Sequence, residues 1–310
     1  YGSQISQLNL ELISGMKLEE NTSLDFMDPK LRNYNLALTK NLITIKDSYA
    51  RVCKTLPYFF SEVREITKDD LKFLTKPKNP LYLGNLRSGS KTLDMGIFLE
   101  GDKVFAHHIL IAATTGRGKS NLTSCMLWDI LDKDYCGILV LDPHDEYYGR
   151  NRLGLKDHPN KNKTAYYTPK NPPAGCKTLK INLNVIKPQH FNGVVDWSDP
   201  QRQALNAYYK NYSQQWIEAV ILEKSLGEGY EFMEGTIAVI KRRLLSLLNL
   251  EFTNNQLFSH GVFDLKAGES TISDICKELE ESKIVIIDTS NFSGDVEILI
   301  GSLVATELFN

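Results

Sequence analysis

Hydrophobic and polar positions follow two different patterns along the chain, and the change falls near residue 101. Residues 1–30 show no clear period. From Asn35 onward, short alternating stretches rich in β-branched residues predict strands, as in NLALTKNLITIKD and SYARVCKTL. Residues 86–101 (LRSGSKTLDMGIFLEG) predict further short strands, separated at Ser-Gly and Asp-Met-Gly. We therefore expect a β-rich N-terminal domain over residues 1–100.

Continuous apolar runs alternate with helical periods in the rest of the chain. Three runs predict buried strands: His107–Ala113, Gly137–Asp142 and Lys283–Ser290. The glycine turn TTGRGKS and a helical stretch lie between the first two. A strand, a turn, a helix and a second strand form a βαβ unit, which implies a parallel sheet. Residues 101–310 are therefore predicted to form an α/β domain.

Helical periodicity fills most of the remaining sequence. A helical insertion is expected at about residues 195–280, and Thr271 with Asp274 resembles a capping box. Residues 150–180 hold eight basic side chains, one acid and several prolines, which indicates a long surface excursion rather than core. The predicted helices are Asn121–Lys133, Pro200–Lys224, Thr236–Leu250, Thr271–Glu280 and Val296–Phe309.

The composition is that of a globular protein, with 42% hydrophobic and 24% charged residues. The net charge of −2 excludes a protein that is basic throughout, but it permits a local basic patch. We expect no transmembrane helix, because the sequence has no run of 18 apolar residues, and no secretory signal, because YGSQISQ has no basic region followed by an apolar run. Five scattered cysteines without a CxxC pair are typical of a reducing cytosol, so we expect a cytoplasmic protein. Because the sequence begins without Met and ends within a predicted helix, we also expect it to be truncated.

The most informative motif is ATTGRGKS, from Ala113 to Ser120. It matches the Walker A pattern GxxxxGK[ST] except that Ala113 replaces the first glycine. Gly116 and Gly118 allow a tight turn that brings backbone N–H groups against phosphate oxygens, and the following helix directs its N-terminus to the same place. Lys119 is long enough to reach the β- and γ-phosphates, and Ser120 offers a hydroxyl to Mg²⁺. The motif predicts ATP binding with Mg²⁺.

Two of the predicted strands end in aspartate, at Asp142 and Asp288. Asp142 opens the sequence DPHDEY, which places several acids where parallel strands end and where α/β sites are built. Asp142 is therefore a candidate magnesium ligand, with a strand-end turn residue as the alternative. For Asp288, ordinary turn chemistry is the favoured interpretation.

The site prediction combines the loop with this acidic turn. Lys119 and Glu146 are predicted to be catalytic, and Ser120 and Asp142 are predicted to bind the metal. The predicted nucleotide-binding residues are Thr115, Gly116, Arg117, Gly118, Lys119, Ser120, Asn121 and Asp142.

From about Pro57 onward the chain resembles the HerA family of the FtsK–HerA group of motor ATPases. The segments that carry the resemblance are LYLGNL, FAHHILIAATTGRGKSN, VLDPHDEYYG, LNVIKP and KIVIIDTSNFSG. The family usually has glycine where Ala113 and Asp145 stand. The resemblance implies a RecA-like P-loop ATPase core with a helical insertion, preceded by a HAS-type β-barrel domain.

The same resemblance implies a homo-hexameric ring that moves double-stranded DNA with ATP, working with a NurA-like nuclease in DNA end repair. The alternative function is a nucleotide-gated ring scaffold that assembles a nuclease or an anti-phage defence effector. The basic segment 150–180 is a candidate DNA contact, because its eight Lys and Arg residues, with Tyr166 and Tyr167 between them, could neutralise DNA phosphates. A solvated loop is the competing interpretation of that segment.

Overall fold

The computed structural model describes the chain in two compact units, Tyr1–Thr75 and Lys76–Asn310. The described residues are 3–5, 33–35, 41, 43–46, 49–58, 61–64, 66–67, 69–71, 74, 76–88, 90–227, 229–230 and 232–309.

The described strands of the first unit form two small antiparallel pairs. β1 (Ser3–Ile5) pairs with β2 (Asn33–Asn35), and β3 (Ile43–Lys46) pairs with β4 (Tyr49–Val52). The expected strands around residues 43–52 are therefore confirmed. The N-terminal barrel stays a prediction.

The second unit opens with a long antiparallel hairpin of β5 (Pro80–Ser88) and β6 (Lys91–Glu100). Our prediction of several short strands was wrong here, because β6 continues through Asp-Met-Gly, where its pairing with β5 only shifts register. A Cβ built on Gly96 would lie 2.9 Å from the Phe98 ring and 3.2 Å from the Tyr82 ring. This glycine therefore makes room for two aromatic side chains. The hairpin groups with the second unit, whereas the sequence pattern placed it in the N-terminal domain.

The remaining strands of the second unit are β7 (Ile138–Asp142), β8 (Thr164–Thr168), β9 (Lys177–Thr178), β10 (Ile181–Asn182), β11 (Leu250–Thr253), β12 (Gln256–Ser259), β13 (Phe263–Asp264) and β14 (Ile284–Asp288). The core is a parallel four-stranded sheet in the order β7-β14-β8-β9. A short parallel pair, β10 with β13, and an antiparallel hairpin, β11 with β12, lie outside it. The helices are α1 (Gly101–Phe105), α2 (Lys119–Ile130), α3 (Asp199–Tyr212), α4 (Trp216–Ile221), α5 (Glu234–Leu247), α6 (Thr271–Glu280) and α7 (Gly294–Leu308).

Both faces of the sheet are covered, as expected for parallel strands. Alternate residues of β14 point to opposite faces. Ile284 and Ile286 pack in a cluster with α2, whereas Val285 and Ile287 join the larger cluster formed by the insertion helices, α6 and α7. The parallel α/β core that the sequence predicts is therefore confirmed.

The predicted strand His107–Ala113 is not formed. None of the described strands pairs with it, and its side chains are mostly exposed, with Leu110 at 90%. Apolar composition favours a strand only where a neighbouring strand supplies hydrogen bonds, and none of the described strands supplies them to this segment.

Our prediction of a surface excursion over residues 150–180 was also wrong. β8 lies inside the sheet, between β14 and β9, and the side chains of Tyr166 and Tyr167 are buried. The flanking lysines and prolines concealed a strand of β-favouring residues, Thr-Ala-Tyr-Tyr-Thr. Because both rings are buried, they cannot stack on DNA bases.

The insertion is helical, as predicted. The first helix is broken at Ser213, whose φ of +48° ends α3 before α4 begins. The helices α5, α6 and α7 begin and end within about three residues of their predicted first and last residues. Within the described residues, the model contains no helix of the length and apolar character needed to span a bilayer.

Candidate nucleotide site

The glycine loop before α2 is shaped by its backbone. Gly116 and Gly118 have φ angles of +77° and +88°, and nothing lies within 4 Å of a Cβ built on either. Glycine is therefore required by the left-handed backbone angle and not by crowding. The Arg117 N–H donates to the Thr114 carbonyl over 3.2 Å, which closes the turn. Gly118 is the N-cap of α2, so the loop amides lie at a helix N-terminus.

The side chain of Lys119 folds back over this loop. Its Nζ donates to the carbonyl oxygen of Ala113 over 2.8 Å. Residues 112–119 are exposed, so the lysine and the loop amides are accessible to a ligand. A phosphate oxygen would offer Nζ a charge-assisted hydrogen bond, which is stronger than the bond to a neutral carbonyl.

Three of the predicted site residues line one cavity of about 620 Å³ beside α2. Ser120 and Asn121 come from the first turn of the helix, and Glu146 comes from the turn after β7. The remaining predicted residues do not line it: the loop lies outside, and Asp142 is buried beneath the acidic turn. The structure thus brings the predicted serine and glutamate together.

Glu146 is paired with an arginine that we did not single out for the site. The Nη2 atom of Arg152 lies 3.9 Å from Glu146 Oε1 and donates to the Glu146 backbone carbonyl over 3.2 Å. Both residues line the cavity. Arg152 lies in a tight loop, and Gly149 and Gly154 approach each other at the base of this loop. A Cβ built on Gly154 would lie 2.5 Å from the Cα of Gly149.

Asp142 acts in the structure as the organiser of the acidic turn. The residue is 1% exposed, and its carboxylate accepts hydrogen bonds from the backbone N–H groups of His144 (3.3 Å) and Tyr147 (3.0 Å). This geometry matches the turn-residue alternative, and the magnesium assignment stays a prediction. In the described part of the chain, no group of three or more His, Cys, Asp or Glu side chains is arranged to hold a metal ion.

Asp145 connects the same turn to the neighbouring strands. Its Oδ1 accepts a hydrogen bond of 2.7 Å from the hydroxyl of Tyr166, which also lies 3.4 Å from Asp288 Oδ2. Burial, followed by the hydrogen bond to Asp145, raises the pKa of Tyr166, so the phenol stays protonated as a donor. Arg150 lies over the Tyr166 ring and 3.9 Å from Asp145. These contacts compensate for the left-handed φ of +50° at Asp145.

Asp288 also behaves as the turn residue that the sequence favoured. It is the register partner of Asp142 on the adjacent strand, and it is 2% exposed. Its oxygens accept hydrogen bonds from Ser290 Oγ (2.6 Å) and Thr168 Oγ1 (2.8 Å).

Sequence reasoning missed five residues of this region: Tyr82, Trp128, Arg150, Arg152 and Tyr166. Trp128 was detectable, because it lies eight residues after Ser120 and therefore near the same helix face. Tyr166 was concealed by the incorrect loop prediction. Tyr82 comes from the hairpin, which no local pattern connects with α2.

The basic residues of segment 150–180 do not form one stripe. Lys156, Lys161 and Lys177 line a separate cleft, together with Glu278. Thr164, at the start of β8, also lines this cleft, which therefore lies at the amino ends of the strands. Lys177 Nζ forms an ion pair of 2.9 Å with Glu278. Arg150, in contrast, lies near the carboxyl ends of the strands, where it contacts the acidic turn.

The parallel sheet covered on both faces, the glycine loop at the start of α2 and the acidic turn after β7 define an α/β protein of the P-loop ATPase class. The chain matches the family model described as helicase HerA, central domain, over residues 81–308, and it belongs to that family. The family resemblance predicted from the motifs is therefore confirmed.

Two relatives show shorter similarities. An uncharacterized protein of Aquifex aeolicus is 38% identical over 56 residues, which are 18% of this chain and 21% of that protein. A probable helicase of Methanocaldococcus jannaschii is 31% identical over 84 residues, which are 26% of this chain and 16% of that protein. The chain therefore covers about a fifth of the length of the relatives that it matches.

Proposed function

We propose that the chain is the motor core of an ATP-driven translocase that moves along double-stranded DNA. The observation that carries this proposal is the exposed glycine loop at the start of α2, with Ser120 and Glu146 lining one cavity beside it. Membership of the HerA central-domain family supports a helicase-type motor, and the similarity to a probable helicase agrees with it.

Each residue of the proposed site has a stated role. The amides from Thr115 to Asn121 hold phosphate oxygens, and Lys119 exchanges the Ala113 carbonyl for the β- and γ-phosphates. Glu146 orients the attacking water. Mg²⁺, when bound, neutralises charge on the phosphates. Ser120 fits as its ligand, because Mg²⁺ commonly takes only one or two protein ligands besides phosphate and water.

The finer parts of the proposal concern assembly. We expect six copies to form a ring around the duplex, with an arginine of a neighbouring subunit stabilising the transferred phosphate. A partner nuclease of the NurA type would process the DNA end. The expected division into a barrel-like domain over residues 1–100 and an ATPase domain over residues 101–310 stays a prediction, and the hairpin of β5 and β6 groups with the second unit.

The direct test is the substitution Lys119→Ala, with Lys210→Ala as the matched control. Lys210 is an exposed lysine on α3, away from the loop. Steady-state ATP hydrolysis is measured with and without linear duplex DNA of increasing length. We expect Lys119→Ala to lower DNA-stimulated turnover at least about 100-fold, because the phosphates lose their main positive partner, and Lys210→Ala to have little effect.

Unchanged turnover in Lys119→Ala would contradict the assigned role of the loop. The dependence on DNA length tests the translocation step separately. A motor consumes ATP for as long as it remains on the duplex, so turnover should rise with length. Hydrolysis that does not depend on DNA length would instead favour the ring scaffold.

A further inference from the structure

The acidic turn after β7 is fixed on both sides of Glu146. On one side, the backbone N–H of Tyr147 donates to the buried carboxylate of Asp142 over 3.0 Å. On the other side, Asp145 has a left-handed φ of +50°, and its Oδ1 accepts the hydroxyl of Tyr166 over 2.7 Å. The direction in which the Glu146 side chain leaves the turn therefore depends on both anchors.

Tyr166 is a rigid anchor, because the sheet and not the turn sets its position. It lies on β8, is 2% exposed, and stacks on the ring of Tyr148 with centroids 4.1 Å apart and an interplanar angle of 11°. The guanidinium carbon of Arg150 lies 5.9 Å from the centroid of the same ring. The hydroxyl of Tyr166 therefore ties the turn to a strand two positions away in the sheet.

The single phenolic proton of Tyr166 faces two carboxylates. Its oxygen lies 2.7 Å from Asp145 Oδ1 and 3.4 Å from Asp288 Oδ2, so the shorter distance assigns the proton to Asp145. Asp288 Oδ2 also accepts the hydroxyl of Thr168 over 2.8 Å. Loss of the phenolic hydroxyl would leave Asp288 with that donor, whereas Asp145 would keep the longer contact with Arg150, at 3.9 Å.

We propose that Tyr166 is a positioning residue for ATP hydrolysis. Through Asp145 it holds the turn in the conformation that directs Glu146 into the cavity beside Ser120. Residues with a Cβ disfavour the left-handed region, so this conformation needs the hydrogen bond. Tyr166 is not among the described residues that line the cavity, and it therefore acts through the turn. This inference rests on the proposed function, which assigns the attacking water to Glu146.

The first test is Tyr166→Phe, which keeps the ring and removes only the hydroxyl. The matched control is Tyr167→Phe, at the next residue of β8. Tyr167 is also 2% exposed, packs in the cluster on the opposite face of the sheet, and donates its hydroxyl to Glu278 over 2.8 Å. Each variant loses one buried hydrogen bond to a carboxylate, so the two should lose comparable free energy of unfolding in urea.

The steady-state kinetics should separate the two variants. We expect Tyr166→Phe to lower kcat for ATP hydrolysis about tenfold and to change KM less than about twofold, because the loop still holds the phosphates. Tyr167→Phe should keep the kcat of the parent protein. Unchanged kcat in Tyr166→Phe, or an equal loss in both variants, would overturn the inference.

The second test varies the backbone preference at position 145. Asp145→Ala and Asp145→Gly both remove the carboxylate, but only glycine adopts a φ of +50° freely. We expect Asp145→Ala to lower kcat about as much as Tyr166→Phe does, and Asp145→Gly to lower it less. In the Asp145→Gly background, adding Tyr166→Phe should have almost no further effect, because the hydroxyl has already lost its partner.

A loss from Tyr166→Phe that persists in the Asp145→Gly background would show that the hydroxyl does not act through Asp145. If Tyr166→Phe fails to fold, the variants at position 145 still decide, because equal kcat in Asp145→Ala and Asp145→Gly contradicts the inference. Glu146→Gln separates the inference from the proposed function. If Glu146→Gln loses turnover but Tyr166→Phe does not, the inference fails and the proposed function stands. Normal turnover in Glu146→Gln would remove the proposed role of Glu146, and the inference with it.

Discussion

At the scale of single residues, the site depends on two kinds of backbone geometry. Gly116 and Gly118 lie in open space and adopt left-handed angles that other residues avoid. Asp145 adopts the same region, and its side chain is engaged by Tyr166 and Arg150. The conformation of the loop therefore depends on glycines, which lack a side chain. The conformation of the acidic turn depends on the contacts of the Asp145 side chain.

The substitution Gly118→Ala tests whether the loop needs its left-handed backbone angle. Alanine at a φ of +88° costs roughly 1–2 kcal/mol, so the loop should relax and its amides should no longer converge. We expect ATP affinity, measured by competition with a fluorescent ATP analogue, to fall at least about tenfold. The free energy of unfolding in urea should fall by no more than this roughly 1–2 kcal/mol, because no atom lies within 4 Å of the added methyl group and no clash is added.

Gly294→Ala is the matched control. Gly294 begins α7, has equally open space around its Cβ, and does not have a positive φ. This variant should retain full ATP affinity. Full affinity in Gly118→Ala as well would show that the left-handed angle is not needed for binding.

The acids of the turn could be predicted from the sequence, but their partners could not. Asp142, Asp145 and Glu146 follow an apolar run, and residues that follow a parallel strand lie at one known edge of the sheet. Tyr166 reaches Asp145 only because β8 is placed two positions from β7, beyond β14. No local pattern carries that strand order.

At the scale of elements, a short helical turn before α3 contains a buried histidine. His190 lies in the turn Pro188–Phe191, is 4% exposed, and its Nδ1 accepts the backbone N–H of Lys187 over 3.0 Å. Burial, helped by the charge of Lys187, lowers the pKa of His190 from 6.5 to about 4. The turn therefore packs with a neutral imidazole at neutral pH.

This pKa shift predicts a pH dependence of stability. The unfolded chain binds a proton at His190 near pH 6.5 and the folded chain near pH 4, so the unfolded state binds more protons between these values. The contribution is complete above pH 6.5 and is lost as the pH falls toward 4. It amounts to about 3 kcal/mol. Urea unfolding at pH 7 and pH 4.5 should show a smaller pH effect in His190→Gln, which keeps a hydrogen-bond acceptor.

His108→Gln, at an exposed histidine, should keep the pH dependence of the parent protein. An identical pH dependence in His190→Gln and the parent would contradict the assignment to His190.

Helices were predicted better than strands, for a physical reason. The helices α2, α5, α6 and α7 begin and end close to the predicted residues, since periodicity and end signals are local. Strands depend on partners that are distant in sequence. His107–Ala113 has the composition of a buried strand but pairs with none of the described strands, and β8 is paired despite its polar flanks.

At the scale of the whole molecule, the α/β class and the family could be predicted because several motifs agree. The glycine loop, the acidic turn and Lys283–Ser290 all resemble the same family, and the family match over residues 81–308 confirms that family. The junction between the two parts was less predictable. The hairpin of β5 and β6 looks like the strands before it in sequence, yet Tyr82 and Asp129 tie it to α2.

The central claim is that the loop from Thr115 to Ser120 binds the polyphosphate of ATP. Titration calorimetry of the protein with a non-hydrolysable ATP analogue and Mg²⁺ tests it most directly. We predict one site per chain in the parent protein and a loss of affinity of at least about 100-fold in Lys119→Ala, because a charge-assisted contact is removed. The absence of binding heat in the parent protein, or equal affinity in both proteins, would contradict the account.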